Sequence, residues 1–291
     1  MENFNSKYNL YKKFFEDSLD EFLNGYLGEK STINEAVKYS IIDGGKRVRP
    51  VLLYSTASML NIPLNKVKNI ALSLEMIHSY SLVHDDLPCM DNDDYRRGKY
   101  STHKKYGESM GVLAGDSLLN LAFECALLKD PFTKEDKLAL SFLSESAGVK
   151  GMIKGQVIDL SSEKDNSVGE KELLEIYLNK TAKLIKAPIV IASIISGGKY
   201  IEKLSQFGEN LGYLFQVIDD IMDENSTFEQ MGKTPNKDKA LDKLTAIKVY
   251  GLDGAKNLAK KYYDNCIRIL KGIPNSEFLI EFTEYLYKRN S

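Results

Sequence analysis

The chain has 291 residues, long enough for a sizeable core in one large domain or two small ones. Its 39 basic and 41 acidic residues leave a formal charge of -2, so nothing global points to nucleic acid or an anionic membrane surface. Three cysteines, Cys89, Cys125 and Cys266, are odd in number and lack metal-type spacing, which suits a reduced cytoplasm. There is no signal-peptide pattern after Met1, and no run of 18 apolar residues predicts a membrane span.

Residues 6 to 29 carry Tyr8, Leu10, Tyr11, Phe14, Phe15, Leu19, Phe22 and Leu23 and predict an amphipathic helix. Ser31 or Thr32 caps the next one, which should end at Gly44-Gly45. In Gly44-Gly45-Lys46-Arg47-Val48-Arg49-Pro50, Pro50 is expected to open a further helix at its first position. A glycine pair, three cations and a helix N-terminus meet there, which suits a phosphate.

Ala71, Leu74, His78 and Leu82 predict a helix between Pro63 and Pro88. It ends in Asp85-Asp86, and Asp91 follows six positions after Asp85. Pro88 must break the helix before Asp85 and Asp91 can approach one ion. Oxygen ligands of this kind suit magnesium better than zinc.

Gly111 to Leu128 reads as a long apolar helix, and residues 135 to 160 as another. Ser161 to Val168 reads as a loop. Glu170 to Ser196 reads as one helix carrying Lys180-Thr181 and kinked at Pro188, stopped by Gly197-Gly198. Lys203 to Glu224 is a second acid-bearing helix. Asp219 and Asp223 share a face with Gln216, while Phe207, Leu211, Leu214, Ile218 and Ile221 form the buried stripe. Residues 225 to 243 read as a mobile polar loop. The remainder is helical, with breaks near Gly251 to Gly254 and Gly272-Ile273-Pro274. No alternating strand runs occur, so the class is all-α.

Several matches fail. A calcium loop opening at Asp91 would have Arg96 and Thr102 at its sixth and twelfth positions, not Gly and Glu. Gly232-Lys233-Thr234 ends like a Walker A loop, but Thr227 stands at the required earlier glycine. His78, His84 and His103 form no zinc set. Two acid-bearing helix ends and two basic sets remain, a pattern for metal-bridged diphosphate chemistry with two diphosphates.

These motifs resemble the short-chain trans-isoprenyl diphosphate synthases, close to the bacterial farnesyl diphosphate synthases. The resemblance spans nearly the whole chain and rests on residues 44–50, Ser81 to Pro88 with Asp91, Arg96-Arg97-Gly98, Ala114-Gly115-Asp116, Gly155-Gln156, Lys180-Thr181, Phe215-Gln216 with Asp219, Asp220 and Asp223, and Gly232-Lys233. It implies one domain over 1–291, a cytoplasmic homodimer, and a bundle of about ten or more helices around a deep cavity. It further implies three Mg2+ ions on Asp85, Asp91 and Asp219, with Asp86, Asp220 and Asp223 nearby. Arg96, Lys180, Thr181, Gln216, Lys233 and Lys243 would hold an allylic diphosphate. Lys46, Arg49, His78 and Arg97 would hold isopentenyl diphosphate. Of these, Asp85, Asp86, Asp91, Arg96, Lys180, Asp219 and Lys233 are the expected catalytic set. Tyr80, five residues before Asp85, and Ser81 would set product length, the aromatic ring favouring a C15 product, farnesyl diphosphate. Tyr95 and Tyr100 depart from the family's usual Leu and Pro, and residues 236 to 250 lack its usual pattern.

Overall fold

The computed structural model describes residues 2–42, 44–163, 168–225 and 243–290. In chain order the helices are α1 (Glu2–Tyr26), α2 (Thr32–Ile41), α3 (Val48–Met59), α4 (Lys68–Asp85), α5 (Thr102–Tyr106), α6 (Glu108–Leu127), α7 (Lys134–Ala147) and α8 (Met152–Ser162). They continue as α9 (Glu170–Ile176), α10 (Lys183–Ile195), α11 (Ile201–Asn225), α12 (Ala246–Leu270) and α13 (Glu277–Tyr287). The described residues are all-α apart from a hairpin pairing β1 (Tyr95–Arg96) with β2 (Lys99–Tyr100).

Helix α10 is apolar and mostly buried beyond Lys183 and Lys186, and lies inside, packed on α3, α7 and α11. The predicted α11 stripe is fully buried: Phe207, Leu211, Leu214 and Ile218 expose nothing and Ile221 only 2%. Burial of such side chains contributes about 1.5–3 kcal/mol each. That face packs on α10 and α12 and turns the opposite face, with Gln216 and Asp219, toward a cavity. Helix α4 packs along α6 and brings its C-terminal turn to the same cavity. By length and composition α6 is apolar enough to cross a membrane. Here one face of it, including Ala114, Leu118, Ala122 and Cys125, is buried in the bundle.

Four expectations are corrected. Pro50 is the third residue of α3, not the first, because Arg47 forms the N-cap in a left-handed conformation. Proline is tolerated there because the first-turn N–H groups have no intrahelical partner. Residues 135–160 form two helices, broken around Gly148 and Gly151. Helix α8 runs on to Ser162, where a loop was expected from Ser161; residues 164–167 lie outside the described residues. The stretch from Glu170 is irregular at Tyr177–Ala182, a π-helical turn carrying Lys180-Thr181, and Pro188 sits within α10 without ending it. The predicted break near Gly251 is present, with Gly251 at φ 70° inside α12.

Gly155 lets α8 touch that π-turn. A Cβ there would lie 2.1 Å from the Lys180 backbone nitrogen and 2.5 Å from its Cα. Gly155→Ala should therefore force the two apart, costing about 1–3 kcal/mol as overpacking does. It should also lower turnover, because Lys180 moves with the turn. Urea unfolding and steady-state rates check this; unchanged values for both would show that the contact relaxes freely.

Candidate active site

The cavity holds about 950 Å³ and is lined from α3, α4, α8, the π-turn, α11 and the segment before α12. Its two halves differ in charge.

One half carries the carboxylates. Pro88 follows the end of α4, and the chain turns back so that the Asp91 N–H reaches the Asp85 carbonyl at 2.8 Å. This brings Asp91 beside Asp85 at one cavity wall, while Asp219 and Asp223 approach from α11. Burial raises the Asp85 carboxyl above its usual range, opposed by Lys180 and reinforced by Asp91. Burial also pushes Asp86 up to about 6 against the pull of Arg96, whose guanidinium forks onto both its oxygens. For Asp91, burial acts upward too, but Lys243 and Lys180 outweigh it and hold the group below its usual range. Lys243 Nζ lies 3.0 Å from Asp91 and 4.0 Å from Asp159. Lys180 Nζ lies 2.6 Å from Asp159; burial opposes its charge, but Asp159 and Asp85 raise it above the ordinary lysine value. Arg289, just beyond α13, stands 3.8 Å from Asp219. Among the described residues no three carboxylates converge on one point. Hard cations here would share their shells between a few carboxylates and ligand oxygens, as magnesium does at phosphates.

Asp220 plays a different part from Asp219. It is buried, receives the Tyr177 hydroxyl and takes the Ala246 N–H at 2.7 Å, which pins the first residue of α12. That anchor places Lys243, three residues earlier, against Asp91. Gln216 donates to Asp220 at 3.0 Å and accepts from Thr181 at 2.7 Å, so Thr181 keeps its oxygen lone pairs for the cavity.

The other half is cationic: Lys46, Arg49, His78 and Arg97 all line it. Arg96 and Arg97 diverge because the hairpin turns between them and Lys99, with Arg97 at φ 55° and Gly98 at φ 78°. Tyr95 and Tyr100, the two departures from the family pattern, pair across this hairpin at 5.1 Å between rings. Gly45, at φ 100°, accepts Arg97 against its backbone; a Cβ there would lie 3.0 Å from the guanidinium carbon. Of the three cations expected at the glycine loop, Arg47 instead turns inward. Its side chain is wholly buried on Glu16, Glu75 and the carbonyls of Ile41 and Ile42. Burial pushes Arg49 down to about 10 and lowers Lys46 as well. His78 is driven well below its ordinary 6.5 by burial and by Arg49, Arg97, Arg96 and Arg47. Beneath the first acid cluster, Tyr80 is 6% exposed and lines the cavity, its ring edge-on to His84. Ser81 lines it too and donates to the His78 carbonyl at 2.8 Å. Lys233 lies outside the described residues.

A model of the family described as polyprenyl synthetase matches residues 30–275. The chain belongs to the polyprenyl synthetase family. It is thus a prenyltransferase of isoprenoid synthesis with the all-α fold of that family. It is 42% identical over 279 residues to geranylgeranyl pyrophosphate synthase 4 of Arabidopsis thaliana, covering 94% of this chain and 74% of the relative. It is 40% identical over 275 residues to the farnesyl diphosphate synthase of Micrococcus luteus, covering 93% and 94%. Among solved structures, a geranyltransferase of Helicobacter pylori complexed with magnesium and isoprenyl diphosphate superposes with TM-score 0.86 at 33% identity, over 97% of this chain and 96% of that one.

Among the residues of this polyprenyl synthetase's cavity that sequence reasoning missed are Glu75, Tyr177 and Asp159. Glu75 is one acid in the apolar run Leu72 to Ile77, a pattern that marks a buried partner for cations. Asp159 stands three residues after Gln156 on α8, and Tyr177 carried no signal of its own.

His78 generates a pH prediction. Its folded pKa lies below the unfolded value of 6.5, so the unfolded chain binds the extra proton. The stability this group contributes is present above that value and lost as pH falls below it. His78→Gln should remove part of the drop in urea midpoint between about pH 7.5 and 5.5. An undiminished drop would show that His78 stays uncharged in both states.

Proposed function

We propose that this polyprenyl synthetase condenses isopentenyl diphosphate head-to-tail with dimethylallyl and then geranyl diphosphate, releasing farnesyl diphosphate. The observation that carries the reading is one cavity with an acid-lined half and a cation-lined half, with Tyr80 on its lining. Asp85, Asp91 and Asp219 would hold magnesium, three ions by the family pattern, and bound magnesium would neutralise an allylic diphosphate. Arg96, Lys180 and Lys243 add fixed positive charge as the allylic C–O bond breaks and the diphosphate departs. Thr181 Oγ and the Lys180 carbonyl present negative dipole ends to the allylic cation. Lys46, Arg49, Arg97 and neutral His78 hold isopentenyl diphosphate with its double bond toward that cation. The new C–C bond forms from this π-pair, and the product loses a proton to the departed diphosphate. The apolar cavity wall keeps water from the cation.

We place Lys233 and the tail at Arg289 over the bound allylic diphosphate as the cavity closes, and we treat the chain as one domain over 1–291. The exposed apolar side chains Val112 and Leu113 on α6 support a homodimer paired across that face. The three cysteines are free thiols, which supports a cytoplasmic setting. A second reading, geranylgeranyl diphosphate synthesis, draws on the Arabidopsis relative. A regulatory subunit would be expected to lack one acid cluster, and this chain has both.

Product length decides between the first two. Five residues of helix set Tyr80 about 7.5 Å deeper than Asp85, on the order of the reach of a short prenyl tail. Chromatography of dephosphorylated products should give C15 for the wild type. Tyr80→Ala should add at least one isoprene unit. A C20 wild-type product would favour the second reading, and an active Tyr80→Ala enzyme that stops at C15 would remove Tyr80 as the floor.

A further inference from the structure

Glu75 is 1% exposed, yet it reaches the wall of the cationic half. One carboxylate oxygen takes Arg47 Nη1 at 3.0 Å. The same oxygen lies 4.0 Å from Arg97 Nη2, too far for a hydrogen bond but close enough for strong attraction in a dry site. The second oxygen is buried with no hydrogen-bond partner, and so is Arg49 Nε in the same wall. Orphaned buried polar atoms are rare and costly. Arg49 Nε is a donor that an anionic ligand can complete, whereas the bare Glu75 oxygen leaves negative charge directed at the cations around it.

The two neighbouring arginines show what this arrangement does. Arg47 spends its donors on Glu16, Glu75, Ile41 and Ile42. It fixes the Glu75 carboxylate, and all three of its nitrogens are engaged within the protein. Among the described residues, Arg97 donates to the Gly44 carbonyl at 3.1 Å and is otherwise drawn by the Glu75 charge. Most of its five donors stay available. Burial lowers both Arg97 and Arg49, and Glu75 is the leading opposing influence on each.

We propose that Glu75 is a positioning residue for isopentenyl diphosphate: locked by Arg47, it holds Arg97 aimed at the diphosphate, beside Arg49, without consuming the Arg97 donors. This rests on reading the cationic half as the isopentenyl diphosphate site. Glu75 acts through the arginines and does not touch the reacting atoms. It also sets the charge of that half: the Arg47–Glu16 pair cancels behind the wall, and Lys46, Arg49 and Arg97 against Glu75 leave an excess of two positive charges, suited to a diphosphate without metal.

The test is the kinetics of Glu75→Gln, which keeps the shape and removes the charge. KM for isopentenyl diphosphate should rise about tenfold or more, the scale of one lost charge-assisted contact. KM for geranyl diphosphate should stay within about twofold, because that substrate sits in the other half. Glu16→Gln removes a partner of Arg47 away from the cavity; it should lower the melting temperature while leaving both KM values near wild type. Arg97→Ala tests the underlying site, and it should raise KM for isopentenyl diphosphate. If Arg97→Ala raises that KM and Glu75→Gln does not, the positioning role is overturned. If neither raises it, the site reading falls as well. If Glu75→Gln does not fold, Glu75→Asp decides: it draws the charge back by one methylene, and an unchanged KM for isopentenyl diphosphate overturns the proposal.

Discussion

Like charges can be kept together in a half-dry cavity only if each has an opposite partner, because burying an unpaired charge costs several kcal/mol. This cavity meets that constraint in two opposite ways. In the acidic half carboxylates are paired with cations from other elements: Asp86 with Arg96, Asp91 with Lys243, Asp159 with Lys180, Asp219 with Arg289. In the cationic half the partner is Glu75, and it is fixed.

Helix α4 serves both halves. Glu75 and His78 lie on its earlier turns, Tyr80 one step further, and Asp85 at its end. Residues that line both halves of the cavity thus stand on one helix. Helix α11 answers from the opposite side, and Asp220 ties it to the start of α12, so that Lys243 meets the first acid cluster. The π-turn inserts Lys180-Thr181 between them, at a place where regular α-helix would give neither the same side-chain direction nor the close seat of Gly155.

Much of this was legible in the chain. The α11 stripe has a clean helical period, so the side of Asp219 followed from burying Phe207 to Ile221. The return of Asp91 to Asp85 followed from Pro88. The parts that were not legible share a physical cause: they depend on backbone conformation that residue type does not announce. Tyr177–Ala182 has no glycine or proline to mark a π-turn. Arg47 reads as one of three loop cations, and only its left-handed backbone, φ 50°, turns it inward. Asp219 and Asp220 look equivalent in sequence, yet neighbouring positions on a helix point about 100° apart, and one faces the cavity while the other is tied to α12. Gly148 and Gly151 did mark the break between α7 and α8, but the apolar pattern on either side masked it.

The central claim is that one cavity holds two unlike diphosphate sites, one that requires divalent metal and one that does not. Titration calorimetry with isopentenyl diphosphate, and with a non-ionising thio analogue of geranyl diphosphate, each in magnesium and in chelator, tests it directly. Isopentenyl diphosphate should bind with the same affinity in both buffers, whereas the geranyl analogue should bind only with magnesium. Equal metal dependence of the two ligands would contradict the account.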